Sequence, residues 1–171
     1  MKYIKSTSEI LAFKSLNRDV DDSWIEWAIQ MVLNGHETEH LLILAGASKP
    51  YNQFYLQELT LKVFHELAVD FSSQEVVLRN YSAYLVSEAL EGTRSYREVL
   101  LKLKDICIEL DYEKLLFDFY LLFYALEDLE YSENQGYWPN ATRKNIQSLI
   151  TEYFANWSKE QELYRLQMID K

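Results

Sequence analysis

The chain has 171 residues, a net charge of −10 and a sequence pI near 4.8. Such an acidic chain would be repelled by a phosphate backbone, so we expect no nucleic-acid partner. Apolar residues make up 49% and aromatic residues 15% of the chain, which excludes a disordered protein and supplies a core. The chain length favours one domain, and we expect residues 1–171 to form a single helical domain.

Turn-forming residues are scarce, with four Gly and two Pro in the chain. All-β folds use these residues at the turns between short strands, so their scarcity favours long helices joined by few loops. We therefore predict an all-α fold of about eight helices. The helices are expected to form stacked antiparallel hairpins, as in a bundle or a short α-solenoid.

The first half of the chain predicts four helices. A short helix follows Thr7. Asp21, Asp22 and Ser23 favour the start of a second helix, because capping oxygens and negative charge stabilise unpaired backbone N–H groups. The second helix runs to Asn34-Gly35, the third covers 37–45, and the fourth covers about 52–69. Its inner side is predicted to carry Phe54, Leu59, Val63, Phe64 and Leu67.

The second half predicts four more helices. The fifth follows Ser72-Ser73 and ends at Gly92, and the sixth runs from about Ser95 to Leu110. The seventh, over about 112–130, is apolar on nearly all sides and is therefore expected to be central. The eighth is expected from near Asn140 to about Leu166.

Gly35, Gly46 and Gly92 each stand where a predicted helix ends, a position that often requires left-handed backbone. A weak internal sequence repeat supports an arrangement of paired helices. Trp24-x-x-Trp27 before Gly35 matches Tyr81-x-x-Tyr84 before Gly92 at an offset of 57 residues.

The segment His36-Glu37-x-x-His40 has the form of a zinc-peptidase motif, which needs both imidazoles on one face of a helix. Asn34-Gly35 is a helix stop, so we expect His36 in a turn and the two rings pointing apart. No third ligand follows at the spacing of the related zinc peptidases. We therefore expect no metal site. The alternative is a zinc site formed by His36, Glu37 and His40.

Glu37-x-x-His40 also matches half of a di-iron site, but Lys62 stands three residues before the remaining histidine, His65. Phosphate-loop, dinucleotide-binding and nucleophile-elbow motifs are absent from the sequence, and we expect no cofactor. Asp118 lies among apolar residues, where a buried carboxylate could donate a proton or be held by a tyrosine hydroxyl. Cys107 is expected to be a buried, inert thiol.

The basic residues Arg94, Arg97, Lys102 and Lys104 cluster at the sixth helix. A helix start with such residues could bind an anion, but we favour their use as partners for the surplus acids.

The segment 131–139 is the longest non-helical stretch with large aromatic residues. Tyr and Trp in a surface loop are typical of interface anchors. We predict a partner-binding site formed by Tyr131, Tyr137, Trp138 and Arg143, with the last on the first turn of the eighth helix. The alternative is that Tyr137 and Trp138 fold back as a lid on the core.

Cys107 is the only cysteine, so no disulfide closes within the chain, which suits a reducing compartment. Residues 1–13 contain no apolar run of secretion-signal length. The most apolar window, 115–126, is too short to span a bilayer. We therefore expect a cytoplasmic protein without membrane contact.

These observations favour a non-enzymatic, acidic helical module that binds another protein, with a basic protein as the partner. One specific version is an inhibitor or antitoxin-like protein that covers a basic partner's active site. A zinc-dependent hydrolase using residues 36–40 is the alternative function, and a homo-oligomer formed through the apolar seventh helix is a third hypothesis.

Overall fold

The structure, a computed structural model, describes residues 4–169, and the side chains of residues 4–164. The first three residues, part of the segment in which no secretion signal is expected, lie outside this range. The described residues form eight α-helices and no strand, so the all-α prediction is confirmed. The helices are α1 Thr7–Ser15, α2 Asp22–Leu33, α3 Glu39–Ala45, α4 Gln53–Glu66, α5 Gln74–Leu90, α6 Tyr96–Glu109, α7 Phe117–Tyr131 and α8 Ile146–Ile169.

The chain divides into two compact units, one up to Tyr81 and the other from Ser82 onwards, so the division lies inside α5. In the first unit α2 packs on α1 and α3, and α3 packs on α4. In the second unit α6 packs on α7, which also contacts α8. A single domain over residues 1–171 stays a prediction. Within residues 4–169, no helix has both the length and the apolar character that crossing a membrane requires.

Two tryptophans of α2 form the centre of the first unit. Trp24 and Trp27 are buried, and both rings contact Phe64 of α4, with centroid distances of 6.3 and 6.1 Å. The Trp27 indole N–H donates to Thr7 Oγ1 of α1 at 3.0 Å. The Trp-x-x-Trp pattern therefore joins α1, α2 and α4 through one apolar cluster and one buried hydrogen bond.

Helix α2 ends as its sequence predicts. Asp21 caps its start by accepting from the Ser23 backbone N–H, and Gly35 after its end has φ +86°. The Gly35 N–H donates to Val32 O, and the His36 N–H donates to Met31 O, which is a Schellman motif.

The same helix ending recurs in the second unit, after α5. Gly92 has φ +78° and its N–H donates to Ala89 O, while the Thr93 N–H donates to Glu88 O. The two ends share one hydrogen-bond pattern. Gly46 differs, because its φ is −89°, so the expectation of a left-handed glycine there is wrong.

Two burial predictions are wrong, because each residue lies on an exposed side of its helix. Phe54 was expected on the inner side of α4 but is 82% exposed, because it lies about 200° around the helix from buried Leu56. Asp118 was expected to be buried, but it is exposed beside inward-facing Phe119. Its carboxylate accepts a hydrogen bond from Tyr153 Oη at 3.2 Å. A tyrosine hydroxyl was one of the two roles considered for this residue from the sequence.

Helix α8 begins six residues later than predicted. Asn140 has φ +60°, a left-handed conformation that a helix cannot contain. The turn that follows resembles a capping box, in which the Asn145 side chain accepts from the Thr142 N–H at 2.7 Å. Arg143 therefore lies in the turn before α8 rather than in its first turn.

Candidate functional site

The helix ends before His36, as expected from Asn34-Gly35. His36 follows the end of α2 and is buried, with 3% of its surface exposed, whereas His40 lies in the first turn of α3. The predicted turn at residues 34–35 is confirmed. Consequently, the two histidines do not share a helix face, and Glu37 is exposed in the connection between them.

His40 instead contacts a residue far away in the sequence. Its ring Nδ1 lies 2.5 Å from Glu66 Oε1, and its backbone N–H donates to Glu66 Oε2 at 3.1 Å. The hydrogen bond from His40 holds the pKa of Glu66 below its usual range. Both oxygens of the last carboxylate in α4 are therefore bound by one residue of α3.

A row of aromatic rings covers the outer side of α7 in the second unit. Tyr120 contacts Tyr112, Phe117 and Tyr124 at centroid distances of 5.5, 5.4 and 4.9 Å, and Tyr124 contacts Tyr137 at 5.4 Å. We call these five residues the aromatic strip. Tyr112 is 51% exposed, Phe117 and Tyr137 are each 37% exposed, and the other two are half-buried. The strip therefore presents a continuous ring surface.

Tyr131 lies on the same side of α7 as the aromatic strip. Residues 117, 120, 124 and 131 are separated by three, four and seven positions, which places them on one helix face. Tyr131 is 84% exposed. This predicted partner-binding residue thus stands in line with the strip at the end of α7.

Gln135 holds the loop between α7 and α8 in shape. Its amide oxygen accepts from the backbone N–H groups of Tyr137 and Trp138 at 2.8 and 2.7 Å. Its amide nitrogen donates to Trp138 O at 2.6 Å and to Ala141 O at 3.3 Å. One side chain therefore replaces the hydrogen bonds that this loop lacks from regular secondary structure.

The two aromatic residues of the loop have different surroundings. Tyr137 joins the aromatic strip through Tyr124. Trp138 is half-buried and packs edge-on against Tyr153 of α8 at 5.5 Å, and Tyr153 in turn contacts Phe119 of α7. The structure therefore places Tyr137 on the strip and Trp138 against the inner aromatic side chains, where a lid would lie.

Arg143 ties the loop to the end of α7. Its Nε donates to Leu129 O at 2.7 Å, one of the helix-end carbonyls, and its Nη1 contacts Glu133 Oε1 at 2.7 Å. The Arg143 side chain is 44% exposed. These contacts give Arg143 a role in positioning the loop.

The chain segment that contains four of the five strip residues is acidic. Residues 105–133 contain nine Asp and Glu against one Lys, although the whole chain has 27 acids and 17 bases. Burial raises the pKa of Tyr120, and charge interactions with Tyr112 and Tyr124 raise it further. The segment therefore combines aromatic area, tyrosine hydroxyl groups and an excess of negative charge.

The basic cluster formed by Arg94 and three residues of α6 is largely engaged with acids. Arg94 contacts Glu88 at 2.7 Å and Glu98 at 2.9 Å, and Arg97 pairs with Glu130. Lys104 contacts Asp105 at 2.5 Å and lies over the ring of Phe123. The ion-pair interpretation is therefore confirmed for three of the four residues. Cys107 is buried, and burial raises the pKa of its thiol, as expected of an inert residue.

Comparison of the chain with protein families, curated proteins and solved structures gives no match. Tyr131 and Tyr137 were among the partner-binding residues predicted from the sequence, whereas Tyr112, Phe117, Tyr120 and Tyr124 were not. The helical spacing of the α7 aromatics was present in the sequence, but the apolar residues around them favoured a fully buried helix.

Proposed function

We propose that the protein binds a basic protein through the aromatic strip and Tyr131. The observation that carries this proposal is a row of five touching, partly exposed aromatic rings, four of which belong to the acidic segment 105–133. Tyrosine rings contribute apolar area together with a hydroxyl group, and they are enriched among residues that dominate binding energy. The acidic surroundings would speed the encounter with a positively charged partner.

Under this proposal the protein is not an enzyme, and it acts in the cytoplasm by covering a basic surface, as an inhibitor or antitoxin-like protein does. The competing hypothesis is that a second copy of the chain covers the strip, forming a homo-oligomer through the same face of α7. The zinc-dependent hydrolase is not proposed, because His36 lies in the connection after α2 and His40 lies in α3, so the two histidines do not share a helix face.

A comparison of two exposed aromatic residues tests the proposal. Tyr131 is 84% exposed at the end of α7, and Phe54 is 82% exposed on α4 in the other unit. Wild type, Tyr131→Ala, Tyr120→Ala/Tyr124→Ala and Phe54→Ala would each be immobilised and exposed to extract from the native cell at low salt. Retained proteins would then be purified and their affinities measured.

We expect the two α7 variants to lose at least about tenfold in affinity for a basic partner, which corresponds to one to two aromatic contacts. Phe54→Ala should bind as wild type does. Unchanged folding of each variant would be established by circular dichroism. Equal binding by wild type and the double variant, or an acidic partner with salt-independent affinity, would exclude the proposal. Mass measurement in solution would identify self-association.

A further inference from the structure

A histidine and two glutamates meet where α3 and α4 pack together. Glu39, His40 and Glu66 each offer a ligand atom, and these atoms lie within 4.8 Å of one another. We propose that these three residues bind a divalent transition-metal ion, with zinc as the representative ion. This site is separate from the aromatic strip and uses only one residue of the predicted His-Glu-x-x-His set.

Local structure explains why the three residues converge. Thr38 has extended backbone and begins α3, which places Glu39 and His40 together in the first turn. Glu66 is the last residue of α4, and α3 packs on α4. The two hydrogen bonds from His40 to the Glu66 carboxylate fix the imidazole and the carboxylate relative to each other. The three residues are therefore brought close together before an ion binds.

The donor types select the ion. One imidazole with two carboxylates suits zinc and the neighbouring first-row ions, whereas magnesium and calcium prefer oxygen ligands only. The His40 and Glu66 side chains are 26% and 24% exposed, so they are partly shielded but accessible to an ion from solution. Ligands of one tetrahedral zinc ion lie about 3.3 Å apart, given zinc–ligand distances near 2.0 Å. For His40 Nδ1 and Glu66 Oε1 to act as ligands together, their 2.5 Å separation would open by roughly 0.8 Å and the proton between them would be lost to solvent.

The site adjoins an open depression of about 320 Å³ lined by His40, Leu61, Lys62, His65 and Glu66. This space can hold the water molecules that would complete the coordination of an exposed ion. His65 adds a second imidazole to the lining. Lys62 also lines the depression. Its ammonium group repels a cation and is therefore expected to limit the affinity for the metal ion.

The matched variants are Glu39→Gln and Glu37→Gln. Both positions are exposed, and the two residues are only two positions apart, but Glu37 is not part of the cluster. Zinc binding to the full chain would be measured by isothermal titration calorimetry, with magnesium as the control ion. Cobalt would be used as a spectroscopic probe, since its visible absorption reports the coordination by nitrogen and oxygen ligands.

We expect one zinc ion per chain, with affinity at least about tenfold weaker in His40→Ala and in Glu39→Gln. Glu37→Gln should bind zinc as wild type does. Unchanged cobalt spectra in His40→Ala would overturn the proposal. A loss of zinc in Glu37→Gln with full retention in Glu39→Gln would overturn it too, because the ligands would then come from the 36–40 motif. Because Glu39 is exposed, its variant keeps the test valid even if His40→Ala does not fold.

Discussion

The ring of Tyr137, from the loop before α8, packs against the ring of Tyr124 on α7 at 5.4 Å. A loop residue thereby extends an aromatic row that belongs otherwise to one helix and its preceding turn. The position of Tyr137 depends on the backbone of its loop, which Gln135 holds through four hydrogen bonds.

Replacing Gln135 with Ala should therefore loosen the loop. We expect the free energy of unfolding to fall by about 1–3 kcal/mol, because the backbone groups that Gln135 binds lose partly buried partners. The second unit should also become more sensitive to proteolysis at residues 132–141. Urea unfolding and limited proteolysis measure the two effects. Gln147→Ala, at an exposed position of α8, is the control and should change neither quantity.

Alanine substitutions at three glycines should separate two kinds of helix end. Gly35→Ala and Gly92→Ala should each destabilise the protein by about 1–2 kcal/mol, because a Cβ is strained at φ +86° and +78°. Gly46→Ala should be close to neutral, since its φ is negative and the added Cβ would meet only Leu42 O and Ile43 O at 3.6 and 3.7 Å. Thermal unfolding of the three variants checks this order. A loss at Gly46 as large as at Gly35 would contradict it.

The buried hydrogen bond from Trp27 to Thr7 can be tested in a double-mutant cycle. Thr7→Val leaves the indole N–H without its acceptor, and we expect a loss of about 1–3 kcal/mol. Trp27→Phe should also destabilise the protein, but adding Thr7→Val to it should cost much less than in wild type. Strictly additive losses would show that the hydrogen bond contributes no coupling energy.

Tyr153 should impose a pH dependence at the alkaline end. Burial raises its pKa well above the usual value, and Asp118 raises it further. The folded protein therefore keeps the phenol protonated, while the unfolded chain ionises it above a pH of about 10. The resulting contribution to stability is complete below that pH and falls as the pH rises, by up to about 1.4 kcal/mol per pH unit.

The variant Tyr153→Phe isolates this effect from the other tyrosines. The difference in free energy of unfolding between wild type and variant should shrink as the pH rises above about 10. Denaturant unfolding at a series of alkaline pH values measures the difference. A constant difference across the series would mean that Tyr153 ionises normally in the folded protein.

The negative charge near the aromatic strip is predicted to affect the association rate of a basic partner. Glu127→Gln/Asp128→Asn removes two negative charges from α7 between Tyr124 and Tyr131. We expect slower association and a weaker salt dependence, with little change in dissociation. Surface plasmon resonance at several salt concentrations checks both rates. An effect on dissociation alone would indicate that these carboxylates contact the partner directly.

The sequence predicted the features that depend on neighbouring residues. Helix starts at Asp21 and Ser95 and helix ends at Gly35 and Gly92 follow from hydrogen bonds within a few positions. The separation of His36 from His40 could be predicted for the same reason. These local signals determine the fold class and most helix positions.

The contacts that form the candidate sites could not be predicted in this way. His40 and Glu66 are 26 positions apart and meet only because α3 packs on α4. Similarly, the apolar composition of α7 did not reveal which aromatic residues face outward. That choice depends on which side of α7 is covered by α6 and α8.

The fixed loop of the second unit has a thermodynamic consequence for binding. Gln135 already orders the backbone around Tyr137 and Trp138. The loop would therefore lose little conformational entropy when a protein binds to it. Most of the free energy gained from burying the tyrosine rings would then appear as affinity, so that even a small interface could hold its partner.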